Sequence, residues 1–239
     1  MRVDKSDFNM QLTDIDVQFD FQTDSGGKDP DAASKTLKAY HQLLWSKPLP
    51  CGERMQLHVE KGCLKWKDMW FGCDSITASF IHHRFPLKEY IERTIPNFEE
   101  FKKDYWHKTY TIGGSIIFPM LRGSVNQMRG CNSRICDRWD LTLECIRRYY
   151  AGEFSPLSKA LERSSVFFDL FVSFKGYVDF FFLQDCVDSN YNVKLWLDTP
   201  LFVPMAMPHD INEYYCWIDS QIDFVTKRGS RIAAYCMRK

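Results

Sequence analysis

Net charge is the first thing this 239-residue chain lacks: lysine plus arginine and aspartate plus glutamate both total 31. A whole-molecule field that gathers nucleic acid or an anionic membrane is therefore excluded as its working principle. Long apolar runs are also missing. The longest, Val166 to Val187, is interrupted by Asp169, Lys175, Asp179 and Asp185, charges too costly to bury together in lipid, so no membrane span is expected. The opening residues, MRVDKSDFNMQLTDIDVQFDF, have no uninterrupted apolar core of the kind an export signal needs. Repeats and low-complexity tracts are absent, and 15% aromatic content excludes disorder for most of the length. Gly113-Gly114 has neither the Gly-Lys-Ser/Thr ending of a P-loop nor the G-x-G-x-x-G pattern. Cys131, Cys136 and Cys145 lack a second ligand pair at zinc spacing. The nine cysteines are scattered and odd in number, and read as reduced thiols packed as small hydrophobes. A cytoplasmic protein is the expectation.

What is present is a well-packed mixture of elements. A helix is expected from about Ser34, with Leu37, Tyr40, His41 and Leu44 on one face, ending before Pro48 and Pro50. Short strands are expected at 55–60, 63–67 and 76–85, separated by Gly62 and Gly72. Pro86 to Lys103 reads as a helix pair broken at Pro96, and Thr109 to Phe118 as a strand whose Gly113-Gly114 permits close backbone approach. Helices are then expected at 133–151, after a Ser155-Pro156 start, from Ser164 or Ser165 through Val187, and from Asp210 to about Arg231, with a short strand at 192–197. The order implies a single α+β domain over 1–239, a mixed strand/helix N-terminal half packed on a mostly helical C-terminal half. Its ends differ in sign. Residues 1–31 carry eight aspartates against three cations, and 227–239 carry five cations and no acid. Both are expected to be solvated; contact of the basic tail with nucleic acid is the less favoured reading.

Residues 111–150 concentrate the chemistry. A strand-like run ends at Pro119, and a loop dense in Asn, Gln, Arg and Gly feeds a helix bearing Asp137, Asp140, Glu144, Arg147 and Arg148 along one side. One reading is structural: acids N-terminal to bases at three- and four-residue spacing stabilise a helix directly. A second takes Asn126, Gln127, Arg129, Arg134, Arg138 and Arg148 as ligand contacts. Guanidinium forks suit phosphate, and amides can read the edge of a base, so the expected partner is a nucleotide or other phosphate-bearing small molecule. A third uses Asp137, Asp140 and Glu144 to share magnesium in a metal-dependent phosphodiesterase or nuclease. A non-enzymatic interaction module is the remaining alternative. In a strand, adjacent His82 and His83 would point to opposite faces, so at most one could enter a site, and a satisfied core histidine is the expected role. The aromatic run FFDLFVSFKGYVDFFF reads as core.

Several long motifs go together: YHQLLWSKPLP (40–50), IGGSIIFP (112–119), NQMRG (126–130), ICDRWDLTLECIRRYY (135–150) and KGYVDFFFLQD (175–185). The chain resembles, over about residues 19 to 232, a family of bacterial proteins defined only as a domain of unknown function. The resemblance implies a single structural unit and carries no activity.

Overall fold

The computed structural model describes residues 10–76, 87–120, 125, 135–198, 202 and 206–238. The chain enters through short turns into helices α1 (Pro30–Ala33) and α2 (Lys35–Trp45). Ser34 starts α2 because its hydroxyl accepts from Leu37 N at 3.0 Å, and the expected face of Leu37, Tyr40, His41 and Leu44 is buried. The aspartates before it have local work. Asp29 accepts from Asp31 N, Asp24 from Thr36 N, and Asp31 reaches across to Ser75 N at 2.8 Å. From Asp14 onward, the acidic segment thus keeps exposed carboxylates, as at Asp14, Asp16 and Asp29, while several of its aspartates also act as caps and turn anchors.

Three strands follow, β1 (His58–Glu60), β2 (Cys63–Trp66) and β3 (Met69–Ser75), each antiparallel to the next. Lys61 and Gly62, with φ of 49° and 80°, make the two-residue turn that matches strand twist between β1 and β2. β3 follows the turn at Lys67-Asp68 and is not among the strands expected from the sequence; the strand expected at 76–85, with His82 and His83, lies outside the described residues beyond Ile76. Pro96 separates α3 (Lys88–Thr94) from α4 (Phe98–Thr109) as expected. The expected strand from Thr109 is shorter. Residues 112–114 form a 3-10 turn, and only β4 (Ser115–Pro119) pairs, antiparallel to β3 with Asp74 opposite Ile116. All five β4 residues are buried.

The C-terminal half is helical: α5 (Trp139–Ala151), α6 (Ser158–Arg163), α7 (Ser165–Phe168), α8 (Phe174–Phe180) and α9 (Ile211–Cys236). Phe118 of β4 meets Trp139 of α5 and Phe168 of α7 with ring centroids 6.1 and 6.2 Å apart, which joins sheet to helices. The chain from 164 to 187 is not one helix. Positive φ at Val172 (66°) and Phe182 (57°) breaks it, and Ser173 restarts it by accepting from Gly176 N. Its rings form the expected core: Phe167, Phe171, Tyr177 and Phe181 are essentially inaccessible. Ser155-Pro156 does not open a helix directly; Ser155 N donates to Ser158 Oγ, and α6 begins a turn later. The expected strand at 192–197 reduces to one bridge, Val193 to Val187.

Asp210 caps α9 by accepting from Asn212 N and Glu213 N. The helix crosses the molecule, packing on α4 and on the 112–114 turn. Gly113 allows that approach, since a Cβ there would stand 2.3 Å from Val225 O. The basic segment expected as a solvated tail from residue 227 is instead the last turns of α9. Lys227 pairs with Asp223, Arg231 with Asp185, and Arg228 points inward.

Candidate functional site

The charged stripe of α5 changes environment along its length. Arg138, just before the helix, is wholly buried. Its Nε donates to Asp140 Oδ1 at 3.1 Å, its Nη2 to Asp140 Oδ2, and its Nη1 to Ala206 O at 2.7 Å. Asp140, equally buried, also accepts from Trp196 N at 2.9 Å. One forked ion pair therefore ties the start of α5 to two segments some sixty residues later in the chain. A buried charge in hydrogen-bonded contact with its counter-charge is costly to separate, about 3–5 kcal/mol when one partner is removed. The helix starts at Trp139, later than the expected 133, because residue 138 is extended (φ −128°, ψ 125°).

One turn further on, Glu144 sits at the boundary with solvent. Arg147 donates to it through Nε at 2.8 Å and Nη2 at 3.0 Å, and Arg148 through Nε at 2.8 Å. Burial alone would raise the Glu144 carboxyl, but the hydrogen bonds from Arg147 and Arg148 outweigh it and hold the group below the ordinary value. Arg147 also reaches Glu153 at 2.9 Å, and the Arg148 guanidinium lies 5.0 Å from the Phe202 ring centroid. Gly152, left-handed at φ 69°, ends the helix.

These facts sort the sequence-based candidates. Arg138 is committed to Asp140 and Ala206, so it holds the framework and is not open to a ligand. Arg148 lies on the half-exposed end. Asn126, Gln127, Arg129 and Arg134 lie outside the described residues. The magnesium reading meets a physical obstacle: Asp140 is enclosed by Arg138, and Glu144 is shared by two guanidiniums. Among the described residues no group of three His, Cys, Asp or Glu is arranged to hold a metal ion.

A second constellation lies in the interior, and the sequence reading missed it. Arg228 of α9 is fully buried and donates from Nε to Phe181 O at 3.0 Å. Its Nη1 donates to Ile112 O at 3.1 Å, Gly113 O at 2.8 Å and Ser115 O at 2.7 Å. Burial lowers its pKa to about 10, leaving it charged at neutral pH. Nearby, Trp45 Nε1 donates to His41 Nδ1 at 2.8 Å, and His41 Nε2 meets Ser115 Oγ at 3.1 Å. This is a serine–histidine contact in the wrong tautomer for catalysis. With Nδ1 accepting, the proton sits on Nε2, so His41 donates to Ser115 and cannot take its proton. Burial, with Arg228 beside it, holds the imidazole well below its ordinary pKa and hence neutral. The group is a brace rather than an active site. The one signal in the sequence was the three- and four-residue spacing of Phe224, Val225, Arg228, Gly229 and Ile232, which puts Arg228 on the buried face.

The eight described thiols are free; Cys73, Cys136, Cys145, Cys186 and Cys236 are buried as expected of small hydrophobes, whereas Cys51 and Cys216 are exposed. Burial pushes Cys73, Cys145 and Cys186 up, Cys145 to about 12, so none of these three is a thiolate nucleophile.

Residues 15–232 match the family of unknown function DUF6994, and the chain belongs to it. No curated protein and no solved structure matches the chain.

Proposed function

We propose that this member of a family of unknown function binds a nucleotide or another phosphate-bearing ligand at the loop–helix junction leading into α5. The observation that carries the reading is the buried Arg138 fork, which joins the start of α5 to Ala206 and, through Asp140, to Trp196. A binding loop needs a rigid mount, and this pair holds the chain at Arg138, where α5 begins. Asn126, Gln127, Arg129 and Arg134 are the recognising groups in this reading: guanidiniums for the phosphate, amides for the orientation of what it is attached to. Arg138 is a positioning residue, and Arg148, half-exposed beside Phe202, is the outlying cation.

The test is isothermal titration of ATP, inorganic phosphate and a phosphate-free nucleoside into the wild type and an Arg129→Ala/Arg134→Ala variant. Saturable binding is expected for at least one phosphate-bearing probe and not for the nucleoside. It should weaken at least about tenfold in the variant, whose thermal unfolding is unchanged. Binding that survives both substitutions, or that needs no phosphate, rejects the reading.

A further inference from the structure

Val125 directly precedes Asn126 and Gln127, the two amides assigned to orient the ligand. It is seated on the sheet. A Cβ on Gly72 of β3 would stand 2.5 Å from Val125 Cγ2, so glycine is what leaves room for it. Beside that contact opens a hollow of about 540 Å³, bounded by Val125 and Gly72 together with α1, the first turns of α2 and the β1–β2 turn. Its size is that of a small-molecule site. One wall is held in place by Asp31, whose carboxylate accepts from Ser75 N at 2.8 Å and so ties α1 to the end of β3.

The lining of the hollow sets apolar groups beside hydrogen-bonding ones. Leu64 and Phe71, opposite each other in the β2–β3 register and both buried, give an apolar wall. Asp29, Lys38 and Lys61 stand around it. Asp29 spends Oδ1 on the cap of α1, accepting from Asp31 N at 3.1 Å, and its second oxygen meets no donor among the described residues. Lys38 gives one of its three N–H donors to Ala32 O. Lys61 occupies the left-handed first position of the β1–β2 turn, with φ of 49°. An ionised carboxylate only accepts and an ammonium only donates, whereas a hydroxyl does both. A phosphate could use the ammoniums alone. A polyol uses the carboxylate as well, and the C–H face of a sugar ring covers the apolar wall.

We propose, resting on the phosphate reading above, that the ligand is a phosphorylated sugar, free or as the ribose of a nucleotide, and that its hydroxyl-bearing ring occupies this hollow. Asp29 accepts from one hydroxyl, and Lys38 and Lys61 donate to others. The chain passes from the sugar at Val125 straight into the residues assigned to the phosphate. Ribose 5-phosphate, AMP and pentyl phosphate are titrated into the full chain by calorimetry; pentyl phosphate keeps the phosphate and has no hydroxyl on its chain. At least one sugar phosphate should bind about tenfold or more tightly than pentyl phosphate, and the tighter of the two tells a free sugar phosphate from a nucleotide.

The decisive variant is Asp29→Asn/Lys61→Asn. Asparagine caps a helix as well as aspartate does and favours the left-handed position before glycine in a two-residue hairpin turn, so the fold is retained. Its preference for the sugar phosphate should fall about fivefold or more, with pentyl phosphate affinity and thermal unfolding unchanged. Equal binding of sugar phosphates and pentyl phosphate by the wild type, or a preference kept in full by the variant, overturns this inference and leaves the phosphate reading standing. Binding of none of the three overturns both.

Discussion

Replacing Arg228 by methionine probes the brace between the sheet and the helical half. Methionine keeps much of the apolar stem but removes every donor. The carbonyls of Ile112, Gly113, Ser115 and Phe181 then lose the group that now lies 2.7 to 3.1 Å from them. Hydrogen bonds to a charged group contribute about 1.5–3 kcal/mol each. Three of the four share one nitrogen, so they do not sum in full, and desolvation of the guanidinium takes back several kcal/mol. The carbonyls, however, stay where they are and remain buried. That asymmetry decides the sign, and the expected loss is about 3–5 kcal/mol, a large part of a typical total of about 5–15 kcal/mol. Urea unfolding followed by tryptophan fluorescence reads it, since Trp45 and Trp217 are fully buried. Arg228→Lys should fall between, because one ammonium cannot reach both Phe181 O and the 112–115 carbonyls. A loss below about 1 kcal/mol with an unchanged urea slope would refute the reasoning.

Three further outcomes follow from the same geometry. His41 stays neutral in the folded protein but titrates near 6.5 when unfolded, so the unfolded state binds more protons below that pH. Stability should therefore fall as pH drops, by about 1.0 kcal/mol between pH 6.5 and 5.5, and His41→Asn should lose this dependence in paired urea titrations. Gly113→Ala should destabilise by several kcal/mol or prevent folding, because its Cβ would stand 2.3 Å from Val225 O, a contact between two backbones that no rotamer relieves. Gly152→Ala meets nothing within 4 Å and should cost only about 1 kcal/mol, from its left-handed φ of 69°. Circular dichroism melts of the two alanine variants side by side check the contrast.

Much of the fold could be read from the sequence where one local signal decided the structure. The helices expected from about Ser34 and from Asp210 begin there, Pro96 divides α3 from α4, and Gly113 permits the close approach expected of it. The reading failed where long-range packing overrode local pattern. The run from 164 to 187 has helical composition throughout, yet the chain turns at Val172 and Phe182 to fold its rings onto one another. Residues 192–197 alternate like a strand but find only one pairing partner. Composition places Arg228 with its charged neighbours because it records charge and not direction; the helical spacing of its apolar companions holds the information. The α5 stripe could be identified from the sequence but not oriented. Whether Asp140 meets Arg138 or a ligand depends on residues 196 and 206, far away in the chain, and the residues offered as direct ligand contacts at 126–134 lie outside the described ones.

Native mass spectrometry of the freshly purified chain, before and after addition of excess ATP, measures most directly whether the junction before α5 holds a phosphate-bearing ligand. The account predicts a stoichiometric adduct whose released species contains phosphorus, present on the wild type and lost from the Arg129→Ala/Arg134→Ala protein with its circular dichroism unchanged. A wild-type mass that stays bare under both conditions, or an adduct retained by the double variant, would contradict it.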